Sequence, residues 1–236
     1  MEQYKIMQLS DSIETLKSTW DNLLQPFQVS PRFSQKVFLD LVRAYSSIGR
    51  FYHTLEHIQL VLKVIEEIRR QSPPQALLII NFPAIQLAAW FHDVIYDSKS
   101  KDNEEKSAKY AAATLTRLGI PINTGECVQN LILNTKTHQA PPADMDSQIL
   151  LDADLAILGA SELEYKTYAQ GIRQEYAWVA DELYRVGRRQ FLQNLLQRKR
   201  IYFTPQLFVN LESRARLNLQ AEIATLSSQP GGNELY

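Results

Sequence analysis

Hydrophobic residues recur every three or four positions along most of this 236-residue chain. In residues 12–24 this spacing joins Ile13, Leu16 and Trp20, and Ser30-Pro31 then supplies an N-cap and a first-turn proline for a second segment. A period near 3.6 residues is typical of helices that bury one face. The predicted helices cover residues 12–24, 31–45, 57–68, a segment opened by Pro83 that holds residues 87–97, and residues 102–118, 126–135, 147–158, 162–184, 187–197 and 205–226.

Strands are not expected, because alternating runs of β-branched residues are scarce. We therefore predict an all-α bundle of about eight to ten helices. One domain is expected over residues 1–226, with helical extensions at both ends. Residues 227–236 read SSQPGGNELY, which has too few apolar side chains to pack, so this segment is predicted to be a disordered tail.

Composition narrows the class of protein. The formal net charge of −1 gives no support for a nucleic-acid surface. Cys127 is the single cysteine, which excludes an internal disulfide and fits a reducing compartment. The first residues, MEQYKIMQLSDSIETL, lack the apolar core of a signal peptide, and no apolar run approaches the roughly 18 residues of a membrane span. We expect a cytoplasmic protein without a membrane partner, and a homo-oligomer is compatible with this expectation.

Polar side chains interrupt the most apolar segment of the chain. Residues 87–97 read LAAWFHDVIYD, so His92 and Asp93 stand among residues that predict burial. A buried carboxylate without a partner costs several kcal/mol. Further imidazoles occur at His53 and His57, which a helix would place on one face, and aspartates recur in the apolar segment LLDADLAILG. Convergence on one metal ion is the simplest explanation, and mixed imidazole and carboxylate ligands favour Mn, Fe, Co, Ni or Zn, with Mg as an alternative.

The order of these residues resembles a known signature. His57, His92-Asp93 and Asp154 are similar to the H…HD…D pattern of the HD-domain superfamily of metal-dependent phosphohydrolases, which is all-helical. The segments RFYHTLEHI, LAAWFHDVIYD, DNEEKSA, LLDADLAILG and GRRQFL, together with the stretch from Arg173 to Tyr176, resemble a bacterial family of metal-dependent HD phosphohydrolases, over roughly residues 20–219. The resemblance implies an HD-domain-like bundle with a divalent transition metal held by His57, His92, Asp93 and Asp154.

Two aspartates of LLDADLAILG compete for the last ligand position. Asp152 and Asp154 are two residues apart, so a helix points them about 160° away from each other. The residues three and four positions from Asp154 are all apolar, which places its side chain centrally on the buried face. We therefore expect Asp154 to meet the metal. Asp152 is expected to cap a helix or to pair with an arginine, with a role near the metal as the alternative.

The remaining polar residues of these motifs each have two interpretations. His53 is expected to support the metal site or to contact substrate, against packing beside Tyr52. His138 follows the helical segment LILNTKTH and could hold a second metal or lie in solvent. Glu104 could orient a water molecule or simply favour the helix dipole in a first turn.

Arginines near the motifs could bind a phosphate group. Arg50 and Arg173 are favoured, because they lie beside or within the matched segments and a guanidinium binds phosphate oxygens in a bidentate manner. Lys99, Lys101 and Arg188 are further candidates. Aromatic residues of the segment 162–184 could form a stacking surface for a base, although aromatic residues at helical spacing favour a core role; they are Tyr165, Tyr168, Tyr176 and Trp178.

The resemblance implies a phosphohydrolase in which metal-activated water attacks a small phosphate ester, with a nucleotide as the expected substrate. Asp93 or Glu104 is expected to orient that water. Two alternatives remain at this point. One is an HD-fold di-iron oxygenase that uses His138 among six ligands, and the other is a metal-containing nucleotide sensor without turnover.

Overall fold

The computed structural model describes the backbone of residues 2–228 and the side chains of residues 12–228. Over this range the chain forms eleven α-helices and two short 3-10 turns, with no strand among the described residues, which confirms the all-α prediction. One of the eleven, α4, is a single turn of four residues. The helices are α1 (Glu2–Leu24), α2 (Pro31–Tyr45), α3 (Leu55–Gln71), α4 (Pro74–Leu77), α5 (Phe82–Phe91), α6 (Asn103–Arg117), α7 (Ile122–Thr135), α8 (Met145–Asp154), α9 (Glu162–Glu175), α10 (Asp181–Leu196) and α11 (Pro205–Ser228).

The last helix is longer than the sequence pattern suggested. Ser227 and Ser228 belong to α11, although we predicted them to lie in the tail. The rest of that predicted tail, residues 229–236, lies outside the described residues. Between residues 2 and 228, none of the helices combines the length and hydropathy that crossing a bilayer requires.

Helix α5 lies at the centre of the bundle. Eight of its ten residues are buried, so neighbouring helices surround it instead of covering a single face. Trp90 packs edge-on against Trp20 of α1, with ring centroids 5.5 Å apart, and its carbonyl accepts a 2.9 Å hydrogen bond from the hydroxyl of Tyr45. Since α5 ends at Phe91, it delivers His92 and Asp93 to the interior of the protein.

Two helices end earlier than their hydrophobic periodicity predicts. The expected helix over residues 162–184 is divided, because α9 ends at Glu175 and α10 begins at Asp181. Arg173 donates hydrogen bonds to the carbonyls of Tyr176 and Val179 and thereby stabilises the turn between the two helices. The expected helix over residues 147–158 stops at Asp154 and tightens into a 3-10 turn, Leu155–Gly159. The pattern continues through both breaks, so periodicity alone does not reveal them.

Candidate metal centre

Two buried histidines face each other across the bundle. His57 lies in the first turn of α3 and His92 directly follows α5, and each is 2% exposed. Their Nε2 atoms are 3.2 Å apart. Nitrogens that each lie about 2.0–2.1 Å from one tetrahedral ion are about 3.3 Å apart, so this separation is the one that a shared metal requires. Nδ1 of His92 donates to the carbonyl of Ala89 at 2.9 Å, so Nε2 is the ring nitrogen that faces His57.

Two carboxylates complete the group. Oδ1 of Asp154, the last residue of α8, lies 3.3 Å from Nε2 of His57 and 3.6 Å from Nε2 of His92. Oδ2 of Asp93 lies 3.0 Å from Nε2 of His92 and 3.7 Å from Nε2 of His57. The atoms of His57, His92 and Asp154 are close enough together to hold one metal ion. The fold therefore brings three of the four predicted ligands into one group, and Asp93 lies beside them, nearest to His92.

The electrostatics of the group also suit a cation. Burial acts to raise the pKa of both aspartates, but the surrounding histidines outweigh it, so both pKa values are lowered and both groups are carboxylates. Burial lowers the pKa of His57, which favours the neutral imidazole that a metal requires. For His92 burial acts in the same direction, but Asp93 and Asp154 overcome it and raise the pKa. A divalent ion would balance the two carboxylates, so the donor set fits a first-row divalent metal.

Asp152 points away from this group. Its two oxygens accept hydrogen bonds of 2.8 Å and 2.7 Å from the backbone N–H groups of Phe203 and Thr204, and the Thr204 hydroxyl donates at 2.6 Å. These residues immediately precede α11, so the carboxylate anchors the start of the last helix. The partners of Asp152 are backbone groups and a threonine, which agrees with the expected role at a helix end and not with the alternative of an arginine pair.

The four-residue spacing suggested that His53 shares a helix with His57, but the structure places it outside that helix. It lies in the loop before α3, which begins at Leu55. Its Nδ1 lies 2.6 Å from Oε2 of Glu175, while Nε2 is directed at the metal site, 3.9 Å from Oδ2 of Asp93. The ring also stacks on Tyr96, with centroids 4.2 Å apart.

Glu175 is a buried carboxylate beside the site to which the sequence interpretation gave no role. It is 4% exposed, and its Oε1 accepts the backbone N–H groups of residues 51, 52 and 53 at 2.8, 2.8 and 3.0 Å. The Tyr96 hydroxyl donates to Oε2 at 2.8 Å. A signal was present, because Glu175 follows Tyr168 and Ile172 at positions i+7 and i+3 of the buried face of α9. Gly171 allows the close approach, since a Cβ there would lie 3.1 Å from the carbonyl oxygen of Phe51.

The two favoured arginines occupy structural positions. Arg50 donates through its terminal nitrogens to the carbonyls of His53, Asp93 and Val94 at 3.0, 2.8 and 3.0 Å. Arg173 supports the turn between α9 and α10. Neither guanidinium lines the cavity described below, so the geometry gives no support to their predicted role as phosphate ligands.

A cavity of about 570 Å³ opens over the metal site. His92, Asp93 and Asp154 lie at its base, together with the inward-facing side of His53. One wall is polar and comes from the start of α6 and the end of α7; it includes Ser100, Lys101, Asn103, Glu104 and Lys136. The opposite wall comes from α9, α10 and the turn between them and is largely apolar; it includes Ile172, Tyr176, Val179, Leu183, Tyr184 and Phe191.

His138 reaches the metal site from a loop. Its Nε2 lies 3.1 Å from Oδ2 of Asp154, whereas His57 is close to the other oxygen, Oδ1. The backbone of His138 has φ of 48°, a left-handed conformation that is uncommon for a residue with a side chain. Arg198 stabilises it by donating to the His138 carbonyl at 2.7 Å.

The aromatic residues of the segment 162–184 divide between two environments. Tyr165 and Tyr168 are buried, in agreement with the core interpretation, and Tyr168 also borders the cavity. Tyr176 lines the cavity as well. Trp178 is 52% exposed and donates to the Ser98 hydroxyl, so it does not belong to the core.

Comparisons with known proteins found no matching family model, curated protein or solved structure. The likeness to HD phosphohydrolases therefore rests on the sequence motifs. The geometry of the metal site is independent of that likeness, because it follows from the distances between His57, His92, Asp93 and Asp154.

Proposed function

We propose that this protein is a metal-dependent phosphohydrolase of the HD type, acting on a small phosphate ester, with a nucleotide as the class that the sequence resemblance implies. The observation that carries the proposal is the close grouping of His57, His92 and Asp154, with Asp93 beside them, next to a cavity that His92, Asp93 and Asp154 line. A divalent ion bound there would lower the pKa of its water ligand and polarise a phosphoryl oxygen.

Residues of the polar wall are suited to handle the substrate. The Glu104 carboxylate lines the cavity, and together with Asp93 it provides an acceptor that can orient a water molecule. Lys101 also lines the cavity, and its ammonium has no carboxylate partner among the described residues. We assign the phosphate-binding role to Lys101, in place of Arg50 and Arg173, because its charge is available in the cavity and theirs are bound to carbonyl oxygens.

A di-iron oxygenase is the second candidate function. It is favoured by His138, whose Nε2 lies 3.1 Å from Asp154, and by His53, whose Nε2 is 3.9 Å from Asp93. These two imidazoles would extend the ligand set from four residues to six. A nucleotide sensor that keeps its metal without turnover would use the same cavity.

Metal analysis combined with a phosphate-release screen separates these functions. The purified protein is expected to carry about one equivalent of a transition metal and to release phosphate from nucleotides in the presence of Mn, Mg, Co or Ni. Excess chelator should abolish the release, and added metal should restore it. Two irons with oxygen consumption would establish the oxygenase, whereas nucleotide binding without release would establish the sensor. Full activity in excess chelator, without bound metal, would contradict the proposal.

A further inference from the structure

The apolar wall of the cavity contains a glycine that the packing of the protein does not require. Gly187 lies in the interior of α10, where glycine destabilises a helix relative to alanine. A Cβ at this position would meet nothing within 4 Å, so no neighbouring side chain demands its absence. Gly187 lines the cavity. Gly187 therefore leaves open space along this wall of the cavity.

Side chains around Gly187 form a shallow apolar surface. On α10 the positions four residues before and after it are Leu183 and Phe191, so all three lie on the same face of the helix, and all three line the cavity. Tyr184, on the adjacent side of that face, lines it too. Leu183 is 69% exposed, which leaves apolar area facing the open cavity. A flat apolar group lying on Gly187 would cover this area.

Charges in the cavity limit what such a group can be attached to. Lys136 pairs with Glu105, and Arg188 pairs with Glu222 at 2.8 Å, so their charges are already balanced. Three described residues that line the cavity are lysines or arginines: Lys101, Lys136 and Arg188. Of these three, Lys101 alone has no carboxylate partner. Each phosphate beyond the first would bring a negative charge without a partner, which is costly in a partly enclosed site.

We infer that the substrate is a phosphate monoester that carries a flat ring, that one face of this ring lies on the surface formed by Leu183, Tyr184, Gly187 and Phe191, and that a single phosphate reaches the metal site. This inference rests on the proposed function for the identity of the reacting group. The binding surface itself does not depend on turnover.

The test enlarges residue 187 and compares it with a matched glycine. Gly125 lies in α7, a Cβ there would also meet nothing within 4 Å, and it does not line the cavity. With the Mn-loaded protein, Gly187→Leu should raise the KM for 1-naphthyl phosphate at least ten-fold and change that for methyl phosphate less than two-fold. Gly125→Leu should change neither. Gly187→Ala should raise Tm and should raise the KM for 1-naphthyl phosphate by a smaller factor than Gly187→Leu does. It provides a second variant if the leucine variant does not fold.

Charge is tested with a pair of ligands that share one base. AMP should have a lower KM than ATP in the wild type, and the reverse order would overturn the assignment of a single phosphate. The assignment of the surface would be overturned if Gly187→Leu changed the KM for 1-naphthyl phosphate and for methyl phosphate equally. It would also be overturned if Gly187→Leu and Gly125→Leu had equal effects.

If no compound releases phosphate, the proposed function is contradicted. The inferred binding surface is then tested by a binding measurement. In that case 1-naphthyl phosphate is titrated calorimetrically into the Mn-loaded wild type and the two leucine variants. Binding that Gly187→Leu weakens ten-fold, while Gly125→Leu does not, supports the surface. Equal binding to all three proteins, or no binding to the wild type, overturns it.

Discussion

Oε2 of Glu175 lies 2.6 Å from Nδ1 of His53, although the two residues are 122 positions apart. The other oxygen of Glu175 accepts three consecutive backbone N–H groups of the loop that carries His53. One buried carboxylate therefore determines both the path of the loop and the orientation of the imidazole. Because Nδ1 is bound to Glu175, Nε2 is the atom that His53 presents to the cavity.

Replacing this carboxylate should destabilise the protein. Glu175→Gln keeps the shape of the side chain but removes its charge and places an amide N–H₂ where one oxygen accepted hydrogen bonds. Leaving buried donors without acceptors costs about 1–3 kcal/mol, which should appear in urea unfolding. Glu162→Gln is the control on the same helix, since Glu162 forms an exposed pair with Lys166 and should change stability by about 0.5 kcal/mol or less. Equal effects of the two substitutions would contradict the role of Glu175.

The contribution of Glu175 should depend on pH in a defined direction. Burial acts to raise the pKa of this carboxyl, but the hydrogen bond and charge of His53 and the backbone N–H groups lower it from 4.5 to about 2. A depressed folded-state pKa means that the stabilisation is fully present above about 4.5 and is lost as the pH falls towards 2. The difference in unfolding free energy between wild type and Glu175→Gln should thus be smaller at pH 3 than at pH 5. A difference that grows between pH 5 and pH 3 would refute this assignment.

Substitutions of Asp152 and Asp154 should have different effects, one on stability and the other on metal content. Asp154→Asn is expected to retain less than a tenth of the wild-type metal, measured by mass spectrometry of the purified protein, because its Oδ1 faces both Nε2 atoms. Asp152→Asn should keep most of the metal and yet lower stability by about 1–3 kcal/mol, because its hydrogen bonds hold the start of α11. If Asp152→Asn lost the metal while Asp154→Asn kept it, the assignment of the ligands would be reversed.

Lys101 and Arg50 should give opposite signatures. Lys101→Ala is expected to raise the KM for a phosphate ester about ten-fold without changing Tm, since the side chain lines the cavity and lies at the surface. Lys99→Ala is the neighbouring control, because Lys99 packs over Trp178 and does not line the cavity. Arg50→Lys should lower Tm and metal content, since its bonds hold the carbonyls of His53 and Asp93. An increase in KM alone for Arg50→Lys would restore its predicted contact with phosphate.

Local patterns were sufficient to predict the helical class and to single out His57, His92 and Asp154, which lie close enough together to hold a metal ion. Helical periodicity is a property of neighbouring positions, so it can be recognised from the sequence alone. It predicts an all-α protein, and the structure confirms this prediction. His92 and Asp93 stand out because polar groups in an apolar segment need a partner. The choice between Asp152 and Asp154 likewise followed from which helical neighbours are apolar, and the structure directs only Asp154 towards the two histidines.

Contacts between distant segments could not be predicted in this way. The pairing of Glu175 with His53, the binding of carbonyls by Arg50 and the availability of Lys101 in the cavity all depend on which loops the packed helices bring together. A charged residue has the same appearance in a sequence whether its partner is a phosphate, a carbonyl oxygen or water. For Glu175 the partner is His53, which lies 122 positions earlier in the chain. Only the tertiary structure brings these two residues together.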